Sequence, residues 1–202
     1  MLTGLLAVVA AYLIGSIPFG LIVVKLMTGS DVREGGSGNI GATNVLRTTG
    51  RTAGILTLVL DAAKGWLAVF LADWLTGGST LWMSAAAFTV LLGHAFSIWL
   101  KFTGGKAVAT AVGAFAYLAP LPLLAVLLLF VLVVAWTRYL SLGSLVAAGL
   151  LPVACWMILH PAWPVLVSAA GAAVLIIERH RGNIARIRAG EERVFRFRRT
   201  VA

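Results

Sequence analysis

The sequence predicts an all-α polytopic membrane protein with seven transmembrane helices, the N-terminus outside and the C-terminus cytoplasmic. Three observations carry this. Of 202 residues, 60% are hydrophobic and 11% charged, whereas a soluble domain holds about 45–50% apolar and about 25% charged residues. The apolar residues gather into seven runs, and about 20 apolar residues take a helix across the hydrocarbon. Finally, the 16 lysines and arginines collect in alternate linkers.

The first run, about Leu2–Met27, has no basic stretch before it and no small-residue cleavage site after it. It reads as a retained span, not a signal peptide. The others are about Ala53–Leu75, Leu81–Leu100, Ala107–Ala119, Leu121–Trp136, Leu142–Leu159 and Trp163–Ile177. The fourth is short, and Pro120 and Pro122 suit a tight turn after it. Five or six spans is the alternative count. With seven, one side receives Lys25, Arg33, Arg47, Arg51, Lys101, Lys106, Arg138 and the eight arginines from Arg179 to Arg199. Only Lys64 falls inside a span. The opposite loops, TGGST and HPAWP, carry no basic residue. Cytoplasmic loops concentrate lysine and arginine, which orients the chain. The net charge of +9 then reports topology and contact with anionic lipid, not nucleic acid. Cys155 is the only cysteine, so an internal disulfide is excluded. The whole of 1–202 reads as one membrane domain, with 179–202 a basic cytoplasmic tail.

Three polar stretches fall on the basic side. Residues 35–44 read GGSGNIGATN, and Gly36 to Gly41 fits G-x-G-x-x-G. That fingerprint needs a preceding strand and a βαβ unit; a membrane helix precedes it here. A P-loop reading fails because Ala42 stands at the lysine position. The glycines still allow backbone N–H groups to converge on an anion. Ser37, Gly38, Asn39, Thr43 and Asn44 add neutral donors and acceptors, and the Arg47 fork suits phosphate. The second stretch ends in Gly104-Gly105-Lys106 just before the fourth span, where a helix N-terminus and a lysine suit an anion. The third is RHRGNIARIRAGEE, with His180 and Asn183 three apart and so on one face of a continuing helix. Glu178 and Glu192 are placed to hold arginines. Asp61 and Lys64, also three apart, read as an ion pair within span two, structural or functional. Each stretch has a bland alternative as well: a flexible loop, a snorkelling lysine or a solvated tail.

These stretches, GSGNIGATNVLRTTG, GHAFSIWLKFTGGKAVAT and RHRGNIARIRAGEE, together with DAAKG in span two, resemble the bacterial membrane-integral glycerol-3-phosphate acyltransferases that use acyl phosphate as donor. The H-x4-D motif of soluble-face acyltransferases is absent, since Trp99 follows His94 by five. The resemblance implies transfer of an acyl group from acyl phosphate to the 1-hydroxyl of sn-glycerol 3-phosphate, giving lysophosphatidic acid and phosphate. This is the first acylation of bacterial phospholipid synthesis, at the cytoplasmic face of the inner membrane, with no cofactor and no metal. It implies that Ser37, Asn39, Thr43, Arg47, Lys106, His180 and Asn183 hold the two phosphates. Gly104 and Gly105 are expected to offer backbone N–H groups. Ser37, Lys106 and His180 are the catalytic candidates. The base is left open between a substrate phosphate oxygen and His180. Partners are the two substrates and membrane lipid. A transporter for a phosphorylated anion is the rival class, though transporters place their sites near the midplane of repeated halves, and no internal repeat is seen.

Overall fold

The computed structural model describes residues 1–195, and Arg196, Arg198 and Arg199 of the expected basic tail lie outside it. Every described regular element is helical, and each predicted run is occupied by a helix. The first run is two helices. α1 (Leu2–Ser16) ends where Ile17 turns extended, and α2 (Phe19–Thr28) resumes after Pro18. Proline disfavours the helical conformation in the residue before it and lacks an N–H, which accounts for a break that the single run Leu2–Met27 did not anticipate. A short helix not anticipated, α3 (Ala42–Thr48), follows within the first polar stretch.

The long helices α4 (Arg51–Thr76) and α5 (Thr80–Ala95) come next, α4 closing on left-handed Gly77. α6 (Val108–Leu118) is short, and Pro120 opens α7 (Pro120–Thr137) at its first turn, where a missing N–H is harmless. α8 (Leu140–Leu159) and α9 (Trp163–Arg179) complete the bundle, and α10 (Arg181–Arg188) lies beyond it. Among the described residues, five segments are long and apolar enough to cross a bilayer: Leu2–Thr28, Arg51–Thr76, Thr80–Leu100, Pro120–Thr137 and Leu140–Leu159.

α5 is the central post, packed by α1, α4, α6 and α9; α7, α8 and α9 follow in antiparallel succession. The core is built of small residues (Ala86, Ala87, Ala114, Ala169, Ala172) around Val90, Leu91 and Phe115. Leu5, Val9, Leu58, Leu132 and Val174 point outward. Small residues inside and large apolar ones outside suit a lipid solvent, in which close backbone approach replaces the hydrophobic drive. At the α4–α6 crossing a methyl on Gly113 would overlap the Ala62 carbonyl oxygen. A second, smaller core of Val23, Val24, Val32, Ile40, Val45 and Leu100 sits under the first polar stretch. It holds that loop against α2 without regular structure of its own.

Candidate active site

Asn44 builds the first polar stretch. Its Nδ2 donates to the carbonyls of Val32 (3.1 Å), Gly35 (3.1 Å) and Asn39 (2.9 Å), and its Oδ1 accepts from the Ser37 N–H (2.8 Å). The residue is buried. Asn44, expected to hold substrate, thus organises the loop, its amide engaged on both sides. Gly36 and Gly38 take positive φ to close the turn, which glycine does without strain. Asn39 Oδ1 accepts from the Gly41 N–H at 2.8 Å. The outcome is a loop presenting Ser37, Gly38 and Thr43 at its exposed surface, with Arg47 half-buried on α3.

The second stretch is held by backbone bonds. The Gly104 N–H donates to the Ala95 carbonyl and the Gly105 N–H to the His94 carbonyl, each at 3.0 Å. These N–H groups, expected to face a phosphate, fasten the loop to the end of α5. A methyl on Gly105 would overlap His94 Nε2, so only glycine lets the chain lie on that ring. Lys101, Phe102 and Ala107, all non-glycine, take positive φ around this segment. Such strain gathers where surrounding structure overrides local preference. Lys106 emerges from the loop and donates to Asn183 Oδ1.

The third stretch closes on the other two. Arg179 stacks on Phe96 (5.5 Å to the ring centre) and donates to the carbonyls of Gly105 (3.1 Å) and Gly104 (2.8 Å). α9 breaks at His180, and its buried ring contacts the Ile176 carbonyl through Nδ1 at 2.7 Å. A carbonyl accepts only, so Nδ1 carries the proton and Nε2 is left as an acceptor. Glu192 is the buried hub beyond. Its Oε1 accepts from Asn183 Nδ2 (2.7 Å) and Ser141 Oγ (3.0 Å), and its Oε2 from Arg186 Nε (3.0 Å). Arg193 then donates to the Gly36 carbonyl at 3.1 Å, which ties the end of the described chain to the first stretch. Glu178 pairs with Arg181 at 2.9 Å. The stretch whose bland alternative was a solvated tail therefore folds as a strap over the candidate site, as far as it is described. Arg186, Ser141 and Arg193 escaped sequence reasoning. Arginine repeats carry no signal of which one turns inward, and Ser141 looks like any helix-start hydroxyl.

Electrostatics report the same convergence. Burial, aided by the fields of Arg186, Arg47 and Arg179 and opposed by Glu192, lowers the Lys106 ammonium to about 8. Burial, then the charge of Lys106, lowers His180 to about 4, so its ring is neutral near pH 7. Burial and Arg193, with Arg186, press Arg47 below its ordinary value while Glu192 opposes. Burial disfavours the Glu192 carboxylate, but hydrogen bonds from Asn183, Ser141 and Arg186 outweigh it and leave its pKa below the usual range. Arg47, Lys106 and Arg186 thus share the one Glu192 carboxylate, with Arg179 near Lys106 and Arg193 near Arg47, an imbalance that a bound anion relieves. A separate cavity of about 280 Å³ lies behind the first loop, lined by Asp31 and Glu34 among others. Its carboxylates make it a poor phosphate site. Among the described residues no cluster of three metal-ligating side chains occurs.

Residues 5–190 match the family model described as glycerol-3-phosphate acyltransferase. A glycerol-3-phosphate acyltransferase of Trichlorobacter lovleyi is 49% identical over 97% of this chain and 100% of its own. One from Geobacter sulfurreducens is 46% identical over 97% and 100%. The crystal structure of PlsY, an integral membrane glycerol 3-phosphate acyltransferase in its glycerol 3-phosphate form, superposes with a TM-score of 0.90. It shares 37% identity, with 96% of each chain covered. Its lysophosphatidic acid form gives 0.86 at 36% identity, over 96% of this chain and 95% of that one.

Proposed function

The chain belongs to the glycerol-3-phosphate acyltransferase family, and from that premise we propose how its residues divide the work. It acylates glycerol 3-phosphate to lysophosphatidic acid. The donor we assign is acyl phosphate and the acceptor the 1-hydroxyl. One observation carries this finer reading: cations from three segments distant in sequence come together, Lys106 bonded to Asn183, Arg179 clasping the Gly104 and Gly105 carbonyls beside it, and Arg47 within reach of the charges of Lys106 and Glu192. That much positive charge fits two phosphorylated substrates, which would otherwise repel each other.

In the proposed reaction the glycerol hydroxyl oxygen attacks the acyl carbonyl carbon. A C–O ester bond forms, the carbonyl–phosphate C–O bond breaks, and inorganic phosphate leaves. Holding the two reactants together is worth up to about 7–11 kcal/mol of barrier. Lys106 neutralises phosphate and the developing oxyanion. Ser37, Gly38, Asn39, Thr43 and Arg47 form one wall of the phosphate site, and Lys106, His180 and Asn183 the other. Gly104 and Gly105 set the path of the backbone. The hydroxyl proton passes to a substrate phosphate oxygen. Phosphate monoesters have a second pKa of about 6, above the value near 4 held by His180, so phosphate is the stronger base. Nε2 of His180 accepts a hydrogen bond and orients the hydroxyl.

We further place all seven helical segments in the bacterial inner membrane, with the N-terminus outside and the site on the cytoplasmic face. The clustering of basic residues on one side supports that orientation. α6, with 11 residues, rises only about 16 Å. Its Lys106 loop therefore dips below the membrane surface, as non-helical backbone does where it lines a polar cavity.

The test uses purified protein in detergent with palmitoyl phosphate and glycerol 3-phosphate. Phosphate release that requires both substrates is the expected result. Release from the donor alone would make the protein a hydrolase, and no release would rule out acyl phosphate as donor.

A further inference from the structure

The buried pair Asp61–Lys64 has no part in the reaction as described, yet it lies where the two halves of the site are joined. Both side chains are 2% exposed, and Lys64 Nζ sits 2.8 Å from Asp61 Oδ1. Lys64 also donates to the Ile17 carbonyl at 2.8 Å, at the break between α1 and α2. Its ammonium lies 5.6 Å from the ring centre of Phe19, the first residue of α2. One lysine thus touches both sides of the break.

Each side leads to a different part of the site. On the α1 side, the Ser16 carbonyl accepts from Ser97 Oγ (2.6 Å), and Tyr12 donates from its hydroxyl to the Phe96 carbonyl (2.7 Å). The turn so held supplies the His94 and Ala95 carbonyls that fasten Gly105 and Gly104, and with them Lys106. The His94 ring, 3.7 Å from Asp61 Oδ1 through Nδ1, is the surface on which Gly105 rests. On the α2 side, Gly20 lies directly on the Ile40 carbonyl of the first loop; a methyl there would overlap it. A broken helix leaves carbonyls unpaired at membrane depth, and something must satisfy them.

We infer that Lys64, held by Asp61, is a positioning residue that sets the separation between the Ser37–Arg47 loop and the Gly104–Lys106 loop. The inference rests on the acyl-transfer reading, in which those loops hold different parts of the reacting pair. The substrates then depend on Lys64 for their mutual alignment more than for their individual binding. A misplacement of about 1 Å far from the chemistry can lower a rate by about 10²-fold.

The experiment compares wild type, Lys64→Met and the charge-free double variant Asp61→Asn/Lys64→Met. The double variant avoids an unpaired buried carboxylate. Turnover with palmitoyl phosphate, glycerol 3-phosphate affinity by calorimetry and Tm are measured on each. A wild type that transfers no acyl group would sink the parent reading alone. With an active wild type, a folded double variant should lose at least tenfold in kcat while its glycerol 3-phosphate Kd changes less than threefold. A kcat within twofold of wild type, or a loss confined to Kd, overturns the inference. So does failure of both variants to fold, which would assign the pair to the fold rather than to alignment.

Discussion

At the scale of single residues, Lys106 sets the alkaline behaviour. Its value of about 8 means that the side chain is charged below pH 8 and neutral above it. A bound dianion favours the charged form, so binding above pH 8 must take up a proton. The apparent KM for glycerol 3-phosphate should be flat near pH 7 and rise by up to about tenfold per unit above pH 8. Lys106→Arg, charged throughout, should lack that rise; a KM profile unchanged by the substitution would refute the assignment. His180 predicts the acid side. Were it the base, His180→Gln would abolish the acid limb of kcat. With phosphate as base, a limb near about pH 6 persists at whatever rate the variant retains. Gly105→Ala drives a methyl into the His94 ring. The expected result is about 1–3 kcal/mol of lost stability, typical of overpacking, and a raised KM for glycerol 3-phosphate. The types of residue suited to phosphate were legible in the sequence; the direction of each donor was not. Asn44 and the N–H groups of Gly104 and Gly105 looked like ligands because they sit among the residues proposed to hold phosphate. Only the folded backbone reveals that they bond to carbonyls.

At the scale of elements, hydropathy located every helix of the bundle and proline located the α6–α7 turn. It missed the division of the first span. Apolar residues flank Pro18 on both sides, and a membrane helix tolerates proline when a neighbour satisfies the freed carbonyl. Here that neighbour is Lys64, 47 residues away, which no local pattern could reveal. α3 escaped for a related reason, since its seven residues gain their stability from the packing of Val45 and not from periodicity. The α4–α6 crossing depends on Gly113, and α6 carries Lys106 at its entrance. Gly113→Val should push these helices apart and lower Tm; a Tm unchanged within error would mean that the helices do not pack this closely. The shift expected for about 2 kcal/mol in a chain of this size is about 4–8 °C.

At the scale of the whole molecule, orientation is the testable feature. Cys155 is buried, so single cysteines introduced elsewhere report with little background. On intact cells, an impermeant maleimide should label a cysteine at Gly77 and spare one at Arg188. The reverse pattern would invert the proposed topology. Excess EDTA should leave activity intact. What the sequence could not disclose was how its last part returns to its first. Arg193 reaches Gly36, and the Phe195 N–H donates to the Arg138 carbonyl at 2.8 Å. Because Glu192 and Arg193 lie past every bundle helix, a chain cut after Arg179 would keep the bundle and lose the carboxylate that holds Asn183 and Arg186. Such a truncation should insert into the bilayer yet transfer no acyl group; turnover retained by it would show that the strap is dispensable.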